Sequence, residues 1–112
     1  KTWQVSRAEV YMKKIVRMHK LVGDFAENKD IAKTLRLKEI IPTLSNGEDV
    51  ILDFAGVSGA TQSFMHALIS DPIRKFRSAA FDKLAYKNVN ETIREIISIV
   101  YRYMQESLED NK

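Results

Sequence analysis

The 112-residue chain has no cysteine. That excludes a disulfide framework, thiolate chemistry and cysteine-ligated zinc or iron–sulfur sites. It has only four glycines and two prolines, so it is neither low-complexity sequence nor a flexible linker. Histidine is scarce as well. His19 and His66 lie far apart and match no metal-ligand spacing, so neither a metal nor a cofactor is expected. No apolar run approaches the ~18–20 residues that span a bilayer. A signal-peptide pattern is lacking, which makes the cytoplasm the default location and gives no reason to expect a membrane partner.

What remains is enough for one domain with a core of its own. Hydrophobic residues make up 45% of the chain and charged residues 29%. The net charge of +3 is unevenly placed. Residues 1–38 carry ten Lys/Arg against four Asp/Glu, and residues 39–112 carry eight against eleven. A basic third can attract nucleic acid or an acidic partner. Its charges are scattered, however, with no run longer than Lys13-Lys14, and a solvated surface explains them more simply.

Residues 1–12 are read as an N-terminal extension or as a segment upstream of the domain. Trp3 and Val5 suit an edge strand, whereas Ser6 to Glu9 has the spacing of a capping box. Residues 13–22, rich in Ile and Val, predict a strand ended by Gly23-Asp24. A loop over 25–29 follows, and then a helix capped by Asn28 or Asp30. Its apolar positions are Ile31, Leu35, Ile40 and Leu44, and Pro42 should kink or restart it.

The run Val50-Ile51-Leu52 marks a strand over 49–54 covered on both faces. Gly56 and Gly59 bracket a tight loop, and Thr61 can cap the next helix. Asp71-Pro72 should end that helix and open another. Residues 83–89 alternate as a third strand. Asn90 suits an N-cap, and Ile93 to Leu108 follow helical spacing over about five turns. The predicted order is β-α-β-α(α)-β-α, an α/β sandwich with a mixed β-sheet and helices packed against it.

Chemistry is sparse in this pattern. Ser63, His66 and Asp53 have the residue types of a hydrolase triad, but no G-x-S-x-G elbow is present. Nor is there a Walker A loop or a G-x-G-x-x-G. No constellation of acid, base and nucleophile is legible, so an enzyme is not expected. The one suggestive place is the helix start at Thr61. Free backbone N–H groups there favour an anion, and Ser58, Thr61 and Ser63 supply hydroxyls around it. On the last helix Tyr101 and Tyr103 diverge, so one can be buried while the other faces a partner.

Three groups of residues together resemble a known family. The first is Val50-Ile51-Leu52-Asp53-Phe54-Ala55-Gly56-Val57 followed by Thr61-Gln62-Ser63-Phe64. The second is Phe25-Ala26-Glu27-Asn28 with Arg36 in the helix after it, and the third is Tyr86-Lys87-Asn88-Val89-Asn90. In order and spacing they resemble STAS-like domains, relatives of the STAS fold of sulfate-transporter tails and anti-sigma-factor antagonists. The resemblance runs over about residues 13–106 and implies a single small STAS-like sandwich over 13–108 with a tail at 109–112.

STAS antagonists carry D-L-S-x-V-x-x-x-D-S-S-G at a strand-to-helix junction, where a kinase of the histidine-kinase-type ATPase fold phosphorylates the second serine. On this chain Asp53 takes the first aspartate's place and Val57 the valine's. Thr61 stands at the second aspartate, Gln62 at the first serine, Ser63 at the modified serine and Phe64 at the glycine. The resemblance therefore implies a non-enzymatic regulatory module that binds a protein, an ATPase or serine kinase among the candidates. Its partner or phosphate surface would be Ser58, Gly59, Thr61, Gln62 and Ser63, with Asn88 and Asn90 neighbouring. Alternative readings are a nucleotide- or anion-binding sensor and a nucleic-acid-binding protein that uses the basic first third. The long last helix leaves room for a homodimer.

Overall fold

Val16 and Met18 are both buried, yet they belong to different elements. In the computed structural model, which describes residues 13–110, the strand predicted over 13–22 stops at Arg17. It divides into β1 (Lys13–Arg17) and a helical turn, α1 (Met18–Val22). The cause is a change of period. The alternation that buries Val16 and Met18 would bury Lys20 next, but Lys20 is exposed, and the chain returns to the core at Val22, four residues after Met18 as a helix allows. Gly23, at φ 72°, closes the turn, and its N–H donates to the His19 carbonyl at 2.9 Å. The readings placed on residues 1–12 lie outside the described residues.

Two of the residues expected in a loop over 25–29 form a short strand, β2 (Phe25–Ala26). Asn28 then caps α2 (Lys29–Leu35): its Oδ1 accepts from the N–H groups of Asp30 at 2.9 Å and Ile31 at 3.3 Å. The predicted disturbance at Pro42 is present. A π-helical turn, Arg36–Ile40, separates α2 from α3 (Ile41–Ser45), and Pro42 sits in the first turn of α3. Proline has no N–H to donate, and a widened turn before it absorbs the missing bond.

β3 (Asp49–Asp53) leads through a loop to a second short strand, β4 (Gly59–Ala60), and then to α4 (Gln62–Phe76). The break expected at Asp71-Pro72 does not occur. Pro72 lies inside α4 and is buried. A helix-interior proline leaves the carbonyl four residues back, here that of Leu68, without its N–H partner; one residue earlier, Arg36 Nη1 donates to the Ala67 carbonyl at 2.8 Å. α4 ends instead at Arg77, φ 52°, and α5 (Ser78–Lys83) follows, a helix too short to show a period in the sequence. β5 (Leu84–Lys87) is shorter than the predicted 83–89 because Asn88 takes a left-handed φ of 57°. The last helix, α6 (Glu91–Asp110), begins where Asn90 Oδ1 accepts from the Ile93 N–H at 2.8 Å.

β1, β3 and β5 form a sheet in that order, and β2 pairs with β4. The α/β architecture is as predicted, but the sheet is parallel at every described pair and not mixed. Helices join its successive strands, and such crossovers return the chain in the same direction. α4 packs against both α2 and α6. Ile93, Ile97, Val100 and Met104 of α6 are buried with Phe64, Met65, Leu68 and Ile69 of α4. Full burial of one such side chain contributes ~1.5–3 kcal/mol. Among the described residues no helix is long and apolar enough to cross a membrane.

Candidate functional site

The residues singled out in the sequence gather where the parallel strands end and α4 begins. Asp53 closes β3 and is buried, at 7% exposure. One carboxylate oxygen accepts from Asn88 Nδ2 at 2.9 Å and from the Ala55 N–H at 3.0 Å. The other lies 3.6 Å from Arg17 Nη1. The Asn88 amide first, then the Ala55 N–H, hold the carboxyl below its usual range, aided by the charges of Lys87 and Arg17 and opposed by desolvation. Asp53 is thereby spent on the strand ends and does not orient His66.

The loop after Phe54 is fastened from beneath. The Val57 N–H donates to the Phe54 carbonyl at 2.9 Å, and Gly56 turns the chain at φ 87°. The His19 ring lies against Gly56, and its Nε2 is 2.9 Å from Asp24 Oδ1. Ser58 gives both its N–H (2.7 Å) and its hydroxyl (2.9 Å) to the Asp24 carbonyl. Asn90 Nδ2 donates to the Ser58 carbonyl at 2.9 Å, so Asn90 adjoins the loop. Asn88 instead joins Asp53.

Gly59 is buried beside the Phe25 ring, where an added Cβ would lie 2.9 Å from the ring edge. Thr61 caps α4 by accepting from the Phe64 N–H at 3.0 Å. The polar groups of Ser58 and Thr61, expected to face a ligand, are thus engaged in building the loop and the cap. Gln62 and Ser63 differ: both side chains are exposed in the first turn of α4.

Gln62 and Ser63 line a groove of about 520 Å³ with Lys29, His66, Ala67 and, from α6, Ile99, Val100 and Tyr103. Tyr103 is 62% exposed, and its ring meets that of His66 edge-on at 5.8 Å. Its neighbour Tyr101 turns the other way, and its hydroxyl hydrogen-bonds that of Tyr86 at 2.7 Å. The divergence read from the sequence is therefore real. Tyr103 was legible as one of two diverging tyrosines, but nothing in the sequence joined it, Lys29, Ile99 or Val100 to Ser63, because only the packing of α4 between α2 and α6 brings them together. His66 carried a local signal, three residues beyond Ser63 on the same helix.

Several cations of the basic first third are paired: Lys14 with Glu39 at 2.9 Å, Arg17 with Asp53, and Arg36 with Asp71 at 3.7 Å. Among the described residues no group of three His, Asp or Glu side chains is placed to hold a metal.

The family model described as "STAS-like domain of unknown function (DUF4325)" matches residues 32–94, from α2 to the first turn of α6. The match includes Asp53, the whole loop, Ser63, Asn88 and Asn90. No curated protein and no solved structure matches the chain. With more than half its length matched, the chain belongs to the family of STAS-like domains of unknown function.

Proposed function

We propose that this STAS-like domain is a non-enzymatic regulatory module that docks a protein partner over the start of α4. The partner class is that implied by the STAS antagonists, an ATPase of the histidine-kinase type or a serine kinase. One observation carries the reading. Of the five residues selected from the sequence, Gln62 and Ser63 present exposed, uncommitted side chains, and both open into a groove walled by α6. Tyr103 gives that groove an exposed aromatic anchor, a residue type enriched where partners bind. A phosphate on Ser63 would lie in the first turn of a helix, where negative charge is stabilised, and would change the charge of the docking surface by about −2.

The test is binding to an ATPase or kinase encoded beside the domain, with Ser63→Trp and Ser63→Asp as variants. Loss of affinity in both supports the surface. Unchanged affinity in both removes it. A panel of nucleotides and phosphates in a thermal-shift assay separates the sensor reading, since a ligand of the folded state raises the melting temperature by mass action. The nucleic-acid reading has less support, because its cations are scattered along the sequence and three of them, Lys14, Arg17 and Arg36, are held in ion pairs.

A further inference from the structure

Side chains alternate across a strand, so the register of β1, β3 and β5 sorts their residues onto two faces. One face carries Lys14–Val50–Leu84 and Val16–Leu52–Tyr86. Val16, Val50, Leu52 and Leu84 are buried in the core, and Tyr86 packs against it. The other face carries Ile15–Ile51–Ala85 in a single row across all three strands. Ile15 is 46% exposed, Ala85 is exposed and Ile51 is partly exposed. Among the described residues none of the three joins the core. Parallel sheets are ordinarily covered on both faces, and this apolar row is the part left uncovered.

The row is framed by cations. Lys13 and Asp49 lie on one side of it, and Arg17, Asp53 and Lys87 on the other. Both carboxylates are already engaged, Asp49 with Lys83 at 3.8 Å and Asp53 with Arg17 and Asn88. Lys13 and Lys87 are exposed and make no ion pair among the described residues. The frame thus holds three cations, Lys13, Arg17 and Lys87, against two committed anions.

We propose that this open sheet face is a second docking surface, and that its occupant is an amphipathic helix of a partner protein with an apolar stripe bounded by Asp or Glu at both ends. Size agrees with a helix. The outer strands lie about 10 Å apart, close to the diameter of one helix. The two charged rows lie about 13 Å apart along the strands, the rise of about nine helical residues. Charge selects among occupants. A second copy of the same face would oppose cation to cation. Residues 1–12 carry two Lys/Arg and one Glu, the same sign as the frame.

The experiment follows the isoleucine methyl resonances of the full chain during titration with a synthetic helical peptide about 14 residues long. The peptide carries a leucine stripe flanked by Glu, and its counterpart carries Lys in place of Glu. The expected result is that the Glu peptide shifts the Ile15 and Ile51 methyls and leaves those of the buried Ile69 and Ile93 in place. The Lys peptide should bind at least roughly tenfold more weakly. The double variant Lys13→Glu with Lys87→Glu should reverse that order, and the wild-type titration stands alone if the variant fails to fold. Four outcomes overturn the proposal. They are no shift with either peptide, equal binding of both, contact between Trp3 and Ile51 in the isolated chain, and concentration-dependent shifts without peptide.

Discussion

Asn88 Nδ2 donates to Asp53 Oδ1 at 2.9 Å, which ties the end of the central strand β3 to the turn after β5. Asn88 can do so because it holds a left-handed φ of 57°, a conformation that asparagine tolerates better than most residues.

This contact sets an acid limit to stability. The Asp53 carboxyl is held below its usual value, chiefly by Asn88. A group depressed in the folded state contributes stability above its unfolded pKa, about 3.9, and loses it as pH falls through the folded value. Asn88→Asp keeps a residue that accepts the left-handed turn but replaces the donor with a carboxylate. The Asp53 carboxyl should then titrate at higher pH, and acid unfolding should begin at higher pH. A carbon-detected NMR titration of Asp53 reads the first effect, and circular dichroism against pH the second. An unmoved Asp53 titration would show that Asn88 is not the cause.

Gly56 is the second fixed point. Its φ of 87° strains any other residue, and an added Cβ would lie 3.1 Å from the His19 ring. Gly56→Ala should lose on the order of 1–2 kcal/mol from backbone strain alone, with a further loss from the ring contact. Gly47 has a similar φ of 76° but open space around it. Gly47→Ala is therefore the control, and calorimetry should show the larger fall in Tm for Gly56→Ala. Equal falls would mean that His19 does not brace the loop.

The paired tyrosines set an alkaline limit. Burial pushes the Tyr86 hydroxyl well above its usual range, and burial raises Tyr101 as well. A pKa raised by folding stabilises the protein below the unfolded value, about 10, and that stabilisation fades as pH rises through the folded values. Tyr101→Phe leaves the Tyr86 hydroxyl without its partner, at a cost of about 1–3 kcal/mol at neutral pH. Urea unfolding at pH 7 and pH 10.5 measures both. Stability unchanged by the substitution at pH 7 would show that the 2.7 Å contact carries no weight.

The sequence showed the α/β class because α6 repeats its apolar positions over five turns and Val50-Ile51-Leu52 is unmistakable as a strand. It misjudged places where tertiary contacts override local rules. Asp71-Pro72 reads as a break until Pro72 is seen buried inside α4 with Ile69 and Ile73. Residues 18–22 read as strand until Lys20, which would share the face of Val16 and Met18, is seen to be exposed. β2 and β4 have two residues each and no period to detect. At the candidate site, Ser58, Thr61 and Ser63 are alike as isolated hydroxyls. Only the folded chain shows the first donating to Asp24 and the second capping α4, while the third stays exposed. Lys29 and Tyr103 come from elements far from Ser63 in sequence, and no local spacing links them to it.

The groove beside Ser63 is the proposed partner surface. Its most direct measurement is calorimetric titration of the domain with the ATPase or kinase encoded next to it, using wild type, Ser63→Trp and Tyr103→Ala. Tyr103→Ala removes an exposed ring without opening the core, and loss of such an anchor costs about 2 kcal/mol or more where it is a hot spot. The predicted result is wild-type binding that falls at least about tenfold in both variants, with the melting temperatures of the free proteins unchanged. Wild-type binding that both variants retain in full would contradict the account.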